Sequence, residues 1–142
     1  MHKNRPLLSL VTLATCAVLH AGGASAEVPA NPTFTKDVAP ILQEKCEACH
    51  RPDSIGPMSL RTFTETRPWA RSIKARVEAR QMPPWHIDKS VGIKDFKNDR
   101  SLNDEQIETI VRWIDQGSPQ GDPKDMPTPK AWPTENTWSY AA

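Results

Sequence analysis

The stretch Cys46-Glu47-Ala48-Cys49-His50 has C-x-x-C-H spacing. Two thiols three residues apart at the end of a helix can reach the two vinyl groups on one edge of a porphyrin, and the next residue then places an imidazole beneath the iron. The motif therefore predicts one covalently attached c-type haem. In this interpretation Cys46 and Cys49 are the thioether links and His50 is the proximal iron ligand.

Two other interpretations of the cysteines are open. The pair could form a disulfide or a redox-active dithiol, with His50 incidental, although the sequence lacks the βαβ pattern expected around such a motif. A zinc site would need four ligands, and Cys46, Cys49, His50 and His86 would have to be all of them. Their spacing differs from that of zinc fingers. Both interpretations are weaker than covalent haem.

The composition bounds the protein class. The chain has 142 residues, the length of one domain, and its 18 Lys and Arg nearly balance its 17 Asp and Glu. No overall charge therefore favours binding to nucleic acid. A mean hydropathy of −0.59 excludes a multi-pass membrane protein, whereas five Trp argue against a disordered chain.

Residues 1–26 have the features of a cleaved secretory signal: a basic start, a short apolar run over residues 7–19 and small residues up to Ala26. The apolar run is too short to span a bilayer. Lipidation at Cys16 is the alternative, but Thr15 is a poor residue before a lipidated cysteine. We therefore predict export with cleavage after Ala26 and no membrane span in the mature chain. Export agrees with haem, because c-type attachment occurs outside the cytoplasm.

Helical periodicity predicts two helices around the motif. Apolar residues from Val38 to Cys46 predict a first helix capped by Asp37, with Pro40 in its first turn. A second helix is expected over about residues 66–81. Its buried face is expected to carry Trp69, Ile73 and Val77, and Met82-Pro83-Pro84 is expected to end it.

A third helix has the strongest local signal. Asn103 is a suitable N-cap, Gln106 completes a capping box, an apolar stripe follows, and Gly117 supplies the stop. No segment shows the two-residue alternation of a strand. We therefore predict an all-α haem domain over residues 33–117, followed by an extended, Pro-rich C-terminal tail over residues 118–142. Trp132 or Trp138 is expected to anchor that tail.

The order of helix, C-x-x-C-H, Met82-Pro83-Pro84 and a final helix with Trp113 resembles that of class I c-type cytochromes. The similarity is closer to a group of exported bacterial haem domains, through four segments: Arg67-Pro-Trp-Ala-Arg71, Arg80-Gln-Met-Pro-Pro-Trp-His86, Asn98-Asp-Arg-Ser-Leu102 and Gly121-Asp-Pro-Lys-Asp-Met126. The resemblance implies a mono-haem electron carrier of the bacterial periplasm, not an enzyme. Redox proteins would be its electron donor and acceptor.

The resemblance also implies that a methionine is the distal iron ligand, and Met82 lies in the corresponding place. The alternative role of Met82 is core packing. His86 is the rival ligand, and Met58 and Met126 are weaker candidates. With both axial positions filled, the iron could only cycle between Fe(III) and Fe(II). The alternative functions are a haem enzyme or sensor with a labile distal ligand, and a C-x-x-C thiol-disulfide oxidoreductase.

Other residues could serve the haem or its partners. Trp69, Trp85, Arg67, Arg71 and Arg80 could pack on the ring or pair with its propionates, and are equally well explained as core or surface residues. Residues 61–80 carry a net charge of +4 and residues 101–125 a net charge of −4. This asymmetry fits either steering of a redox partner or two solvated helix faces.

Overall fold

The computed structural model describes residues 27–84, 91–92, 96–97 and 99–132. Within these residues the chain is helical and contains no β-strand, so the all-α prediction is confirmed. None of the described helices is long and apolar enough to cross a membrane. The predicted signal with Cys16, and the candidate residues Trp85, His86 and Trp138, lie outside the described residues.

The first helical segment begins earlier than the sequence predicts. A π-helical turn, Phe34–Val38, runs directly into helix α1, Ala39–Lys45, which has Pro40 in its first turn. Asp37 is therefore not the N-cap. Its carboxylate instead accepts a hydrogen bond from the Thr33 N–H at 2.7 Å, so it stabilises the start of the turn from inside the helix.

The second helical segment is built from three short pieces: α2 (Phe63–Thr66), a 3₁₀ turn (Arg67–Trp69) and α3 (Ala70–Glu78). It begins early because Thr62 and Glu65 form a capping box. The prediction that Trp69 lies on the buried face is wrong, since its side chain is 43% exposed. The buried face carries Thr66, Ala70, Ile73 and Val77 at i, i+4, i+7 and i+11, and Trp69 lies at the edge of this stripe.

The end of α3 is set by the backbone, five residues before the first proline. The Arg80 N–H donates to Val77 O at 3.0 Å and the Gln81 N–H donates to Arg76 O at 2.9 Å. This is a Schellman arrangement, with Arg80 in the left-handed region at φ 52° where glycine is usual. The turn sends the chain out of the helix toward Met82.

Helix α4, Asp104–Asp115, agrees with its prediction. Asn103 and Gln106 form the expected capping box, and Gly117 has φ 88°. The first and last helical segments meet where the ring of Phe34 lies 5.9 Å from that of Trp113. Around this contact lies one apolar core: Phe34, Val38, Ala39, Leu42, Leu60, Ala70, Ile73, Val77, Leu102, Ile110 and Trp113.

The chain after α4 returns along the first helical segment. Pro119 O accepts hydrogen bonds at 2.9 Å from the Phe34 N–H and from the Trp113 indole N–H. Apart from a 3₁₀ turn at Pro123–Asp125, the described part of this tail has no regular secondary structure. The tail is thus docked on the helices through its backbone.

The two oppositely charged segments lie side by side. Lys74 of α3 donates to the Asp115 carboxylate of α4 at 2.5 Å, and Arg80 pairs with Asp104. Part of the positive charge of residues 61–80 is therefore paired with negative charge of residues 101–125 within the molecule. This reduces the charge available for steering a partner.

Candidate haem site

The C-x-x-C-H motif forms a compact turn at the C-terminus of α1. The Cys46 N–H donates to Leu42 O at 2.8 Å, which extends the helical pattern into the motif. The N–H groups of Cys49 and His50 then both donate to Cys46 O, at 3.1 and 3.0 Å. Cys46 and Cys49 are free thiols. Both thiols and the imidazole therefore project from one short, hydrogen-bonded segment.

The ring of His50 is held by a carbonyl. Its Nδ1 lies 3.2 Å from Met58 O. Because a carbonyl oxygen can only accept, this contact requires the proton on Nδ1, which in the neutral ring leaves the lone pair on Nε2. Neutral imidazole with Nδ1–H bonded to a backbone carbonyl is the form that suits iron ligation through Nε2.

The loop after His50 folds back over the motif. The Gly56 N–H donates to Cys49 O at 2.8 Å, and the Leu60 N–H donates to His50 O at 3.0 Å. A Cβ at Gly56 would lie 2.6 Å from Cys49 O and 2.8 Å from His50 Nδ1, so only glycine fits there. No local sequence signal predicts this close approach, because it depends on the path of the whole loop.

The thiol of Cys46 is in the wrong environment for dithiol chemistry. Burial, with smaller contributions from Glu47 and Cys49, raises the pKa of Cys46 from 9.0 to about 12. A redox-active C-x-x-C needs the opposite shift, since the thiolate is the nucleophile. This environment argues against the thiol-disulfide oxidoreductase interpretation.

The three methionines of the region after residue 26 differ in their surroundings. Met58 and Met126 pack against the core, whereas Met82 is 40% exposed. Met82 therefore does not act as a core residue, which was the alternative role that its sequence context allowed. Its backbone N–H donates to Arg76 O at 3.3 Å, which ties the segment to the end of α3.

Two residues of the site were not singled out from the sequence. Glu47, between the two cysteines, is only 4% exposed, and the Trp132 indole N–H donates to its carboxylate at 3.2 Å. Arg51, which follows His50, has its guanidinium 5.6 Å from the Trp132 ring, and its Nε is buried without an acceptor in the described part of the chain. Local sequence signals do not predict these contacts, because Glu47 and Trp132 are 85 residues apart.

Among the arginines expected near the propionates, Arg67 and Arg71 are exposed, and Arg80 pairs with Asp104. No three His, Cys, Asp or Glu side chains of the described residues are placed to hold a metal ion by themselves. A haem fits the observed donors better. It brings its own four nitrogens for the iron, and its propionates could accept from an unpartnered donor such as the buried Nε of Arg51.

These features define a small all-α haem domain. Its first and last helices pack together, the C-x-x-C-H motif lies at the end of a helix, and His50 Nδ1 is hydrogen-bonded so that Nε2 can bind iron. The family model for cytochrome c matches residues 35–118, and the chain belongs to that family. The protein is therefore a haem-binding electron carrier whose cofactor is covalent haem c, and Cys46 and Cys49 fit the attachment motif. Searches of curated proteins and of solved structures found no match.

Proposed function

We propose that this chain is an exported, periplasmic mono-haem cytochrome c that passes single electrons between redox proteins and is not an enzyme. Cys46 and Cys49 carry the thioether links, and His50 and Met82 are the axial ligands. The hydrogen bond from His50 Nδ1 to Met58 O carries the proposal, because it prepares Nε2 for iron within the attachment motif.

The haem supplies the Fe(III)/Fe(II) couple, and the chain sets the conditions for it. The carbonyl of Met58 holds the proton on His50 Nδ1, and Gly56 lets the loop close over the ring. Met82 offers a thioether, which favours a higher reduction potential than a second imidazole would. If His50 and Met82 both bind the iron, no coordination site would be left for a substrate.

We propose cleavage after Ala26, a haem domain over residues 33–117 and an extension over residues 118–142. Contacts of the residues that directly follow the proposed cleavage site support this start of the mature chain. Arg112 Nη1 donates to Pro29 O at 3.0 Å, and Gln116 Nε2 donates to Ala30 O at 2.8 Å. These bonds give the new N-terminus a defined place along α4.

The axial ligands are tested by Met82→Ala, with Met126→Ala as the matched control from the core. Met82→Ala should abolish the weak near-red band of a sulfur-ligated ferric haem, lower the reduction potential and let the ferrous protein bind CO. Met126→Ala should keep the wild-type spectrum and potential. An unchanged spectrum in Met82→Ala, with a changed one in His86→Ala, would instead assign the distal position to His86.

The alternative haem functions give different results with the wild-type protein. Tight CO binding to ferrous wild type, or turnover of peroxide, would indicate a labile distal ligand and a haem enzyme or sensor. We expect neither result. Turnover by the wild type at a rate that responds to Met82→Ala would contradict the electron-carrier assignment.

A further inference from the structure

The haem attachment motif contains a buried carboxylate. Glu47 lies between the two attachment cysteines, and its side chain is 6% exposed. Burying a charged carboxylate is costly unless other groups neutralise it. The structure must therefore provide partners for Glu47, and it does so from two distant parts of the chain.

One partner is a cation and the other is an indole N–H. Arg61 Nε lies 3.9 Å from Glu47 Oε2, which is an ion pair beyond hydrogen-bond distance. The Trp132 indole N–H donates to the same oxygen at 3.2 Å. Among the described residues, Trp132 is thus the hydrogen-bond donor to this carboxylate.

The position of Trp132 is fixed by further contacts. Lys130 Nζ lies 4.7 Å from the centre of the indole ring, and the Arg51 guanidinium lies 5.6 Å from it. Nearer α4, Gln43 Nε2 of helix α1 donates to Thr128 O at 2.7 Å. Trp132 therefore contacts Glu47 and Arg51, which flank Cys49 and His50 in the sequence.

We propose that Trp132 is a positioning residue of the haem site that acts through Glu47 and raises the reduction potential. This inference rests on the proposed function. A carboxylate beside the haem favours Fe(III), which carries one more positive charge than Fe(II), and so lowers the potential. The indole N–H and Arg61 weaken that effect. Since Trp132 lies beyond residues 35–118, this control comes from outside the family match.

The test is a double-mutant cycle on the reduction potential of the full-length holoprotein. Trp132→Phe keeps an aromatic ring for the two cations but removes the N–H together with the five-membered ring that carries it. This substitution should lower the reduction potential. At a fixed solution potential near the wild-type midpoint, the ratio of ferric to ferrous protein should therefore rise about threefold. Glu47→Gln should raise the potential, and Trp132→Phe should then have no further effect in that background. Thr128→Ala, a control in the same segment whose contact is through its carbonyl, should leave the potential unchanged.

Two results would overturn the inference: no shift in Trp132→Phe, or the same shift with and without Glu47. If Trp132→Phe yields no folded holoprotein, Glu47→Gln still decides, because an unchanged or lowered potential would contradict the role given to that carboxylate. Failure of the proposed function would look different. It would appear in the wild type, as missing haem or missing Met82 ligation, before any tail variant is made.

Discussion

Replacing Gly56 by Ala tests whether the loop over His50 is as tight as the structure shows. The added Cβ would lie 2.6 Å from Cys49 O and 2.8 Å from His50 Nδ1. Because φ at Gly56 lies outside the left-handed region, the cost is steric and not a backbone penalty. The nearest atom belongs to the backbone of the attachment motif, so it cannot move aside as a flexible side chain would.

The magnitude follows from two contributions. Forcing an extra methyl group into a packed site costs about 1–3 kcal/mol. Relief of the clash would lengthen the hydrogen bond from the Gly56 N–H to Cys49 O or the one from His50 Nδ1 to Met58 O. Each of these hydrogen bonds is worth about 0.5–1.5 kcal/mol. We therefore expect Gly56→Ala to lower the free energy of unfolding of the ferric holoprotein by about 2–4 kcal/mol.

Guanidinium unfolding, followed by haem absorbance and circular dichroism, measures this change. Ile55→Ala is the matched control, because Ile55 is 87% exposed and its truncation should change the free energy by less than about 0.5 kcal/mol. One added methyl at residue 56 should thus cost more than three carbons removed at residue 55. A Gly56→Ala protein as stable as the control would refute the close approach of the loop to His50.

Three further predictions concern the helices and the docked tail. Asn103→Ala removes a capping box and should lower the free energy of unfolding by about 1 kcal/mol, whereas Asn103→Asp should restore most of it; equal losses would contradict the cap. Gly117→Ala and Gly121→Ala both place Ala at positive φ, but only at Gly121 would the Cβ clash, at 2.5 Å from Thr35 Oγ1. Gly121→Ala should therefore unfold at a lower denaturant concentration than Gly117→Ala. The hydrogen bond to Asp115 raises the pKa of Lys74 above 10.5, so this pair stabilises the fold at neutral pH and is lost as pH rises through the raised pKa. The small difference in unfolding midpoint between wild type and Asp115→Asn should therefore vanish at strongly alkaline pH, and a difference that grows there would contradict the pairing.

Local sequence signals predicted α4 and the attachment motif well. The capping box at Asn103 and the glycine stop at Gly117 depend on neighbouring residues only, and both appear as predicted. The same holds for the placement of C-x-x-C-H at the end of a helix. Where a structural feature is defined within a few residues, the sequence is sufficient.

The start of the first two helical segments and the burial of Trp69 were predicted wrongly for different reasons. The first segment starts early because a π-helical turn precedes α1, and the second starts early because Thr62 and Glu65 form a capping box. The spacing of Trp69 to Ile73 and Val77 predicted that it is buried, but the buried stripe runs through Thr66 and Ala70 and leaves Trp69 at its edge.

The contacts that complete the site could not be predicted from local signals. The cradle at Gly56 and the bond from Trp132 to Glu47 require the loop and the tail to return to the motif. The C-x-x-C-H spacing gives Cys46, Cys49 and His50, but it contains no information about residues that reach them from elsewhere in the chain. The assignment of Met82 over His86 remains a prediction.

The measurement that tests the account most directly is the haem content of the denatured protein. The full chain would be expressed with the c-type maturation machinery, denatured, and its spectrum recorded in pyridine with dithionite, beside Cys46→Ala and Cys49→Ala variants. We expect a haemochrome band that stays with the wild-type polypeptide and shifts when either thioether is lost. A colourless wild-type protein, from cells that mature a control cytochrome, would contradict it.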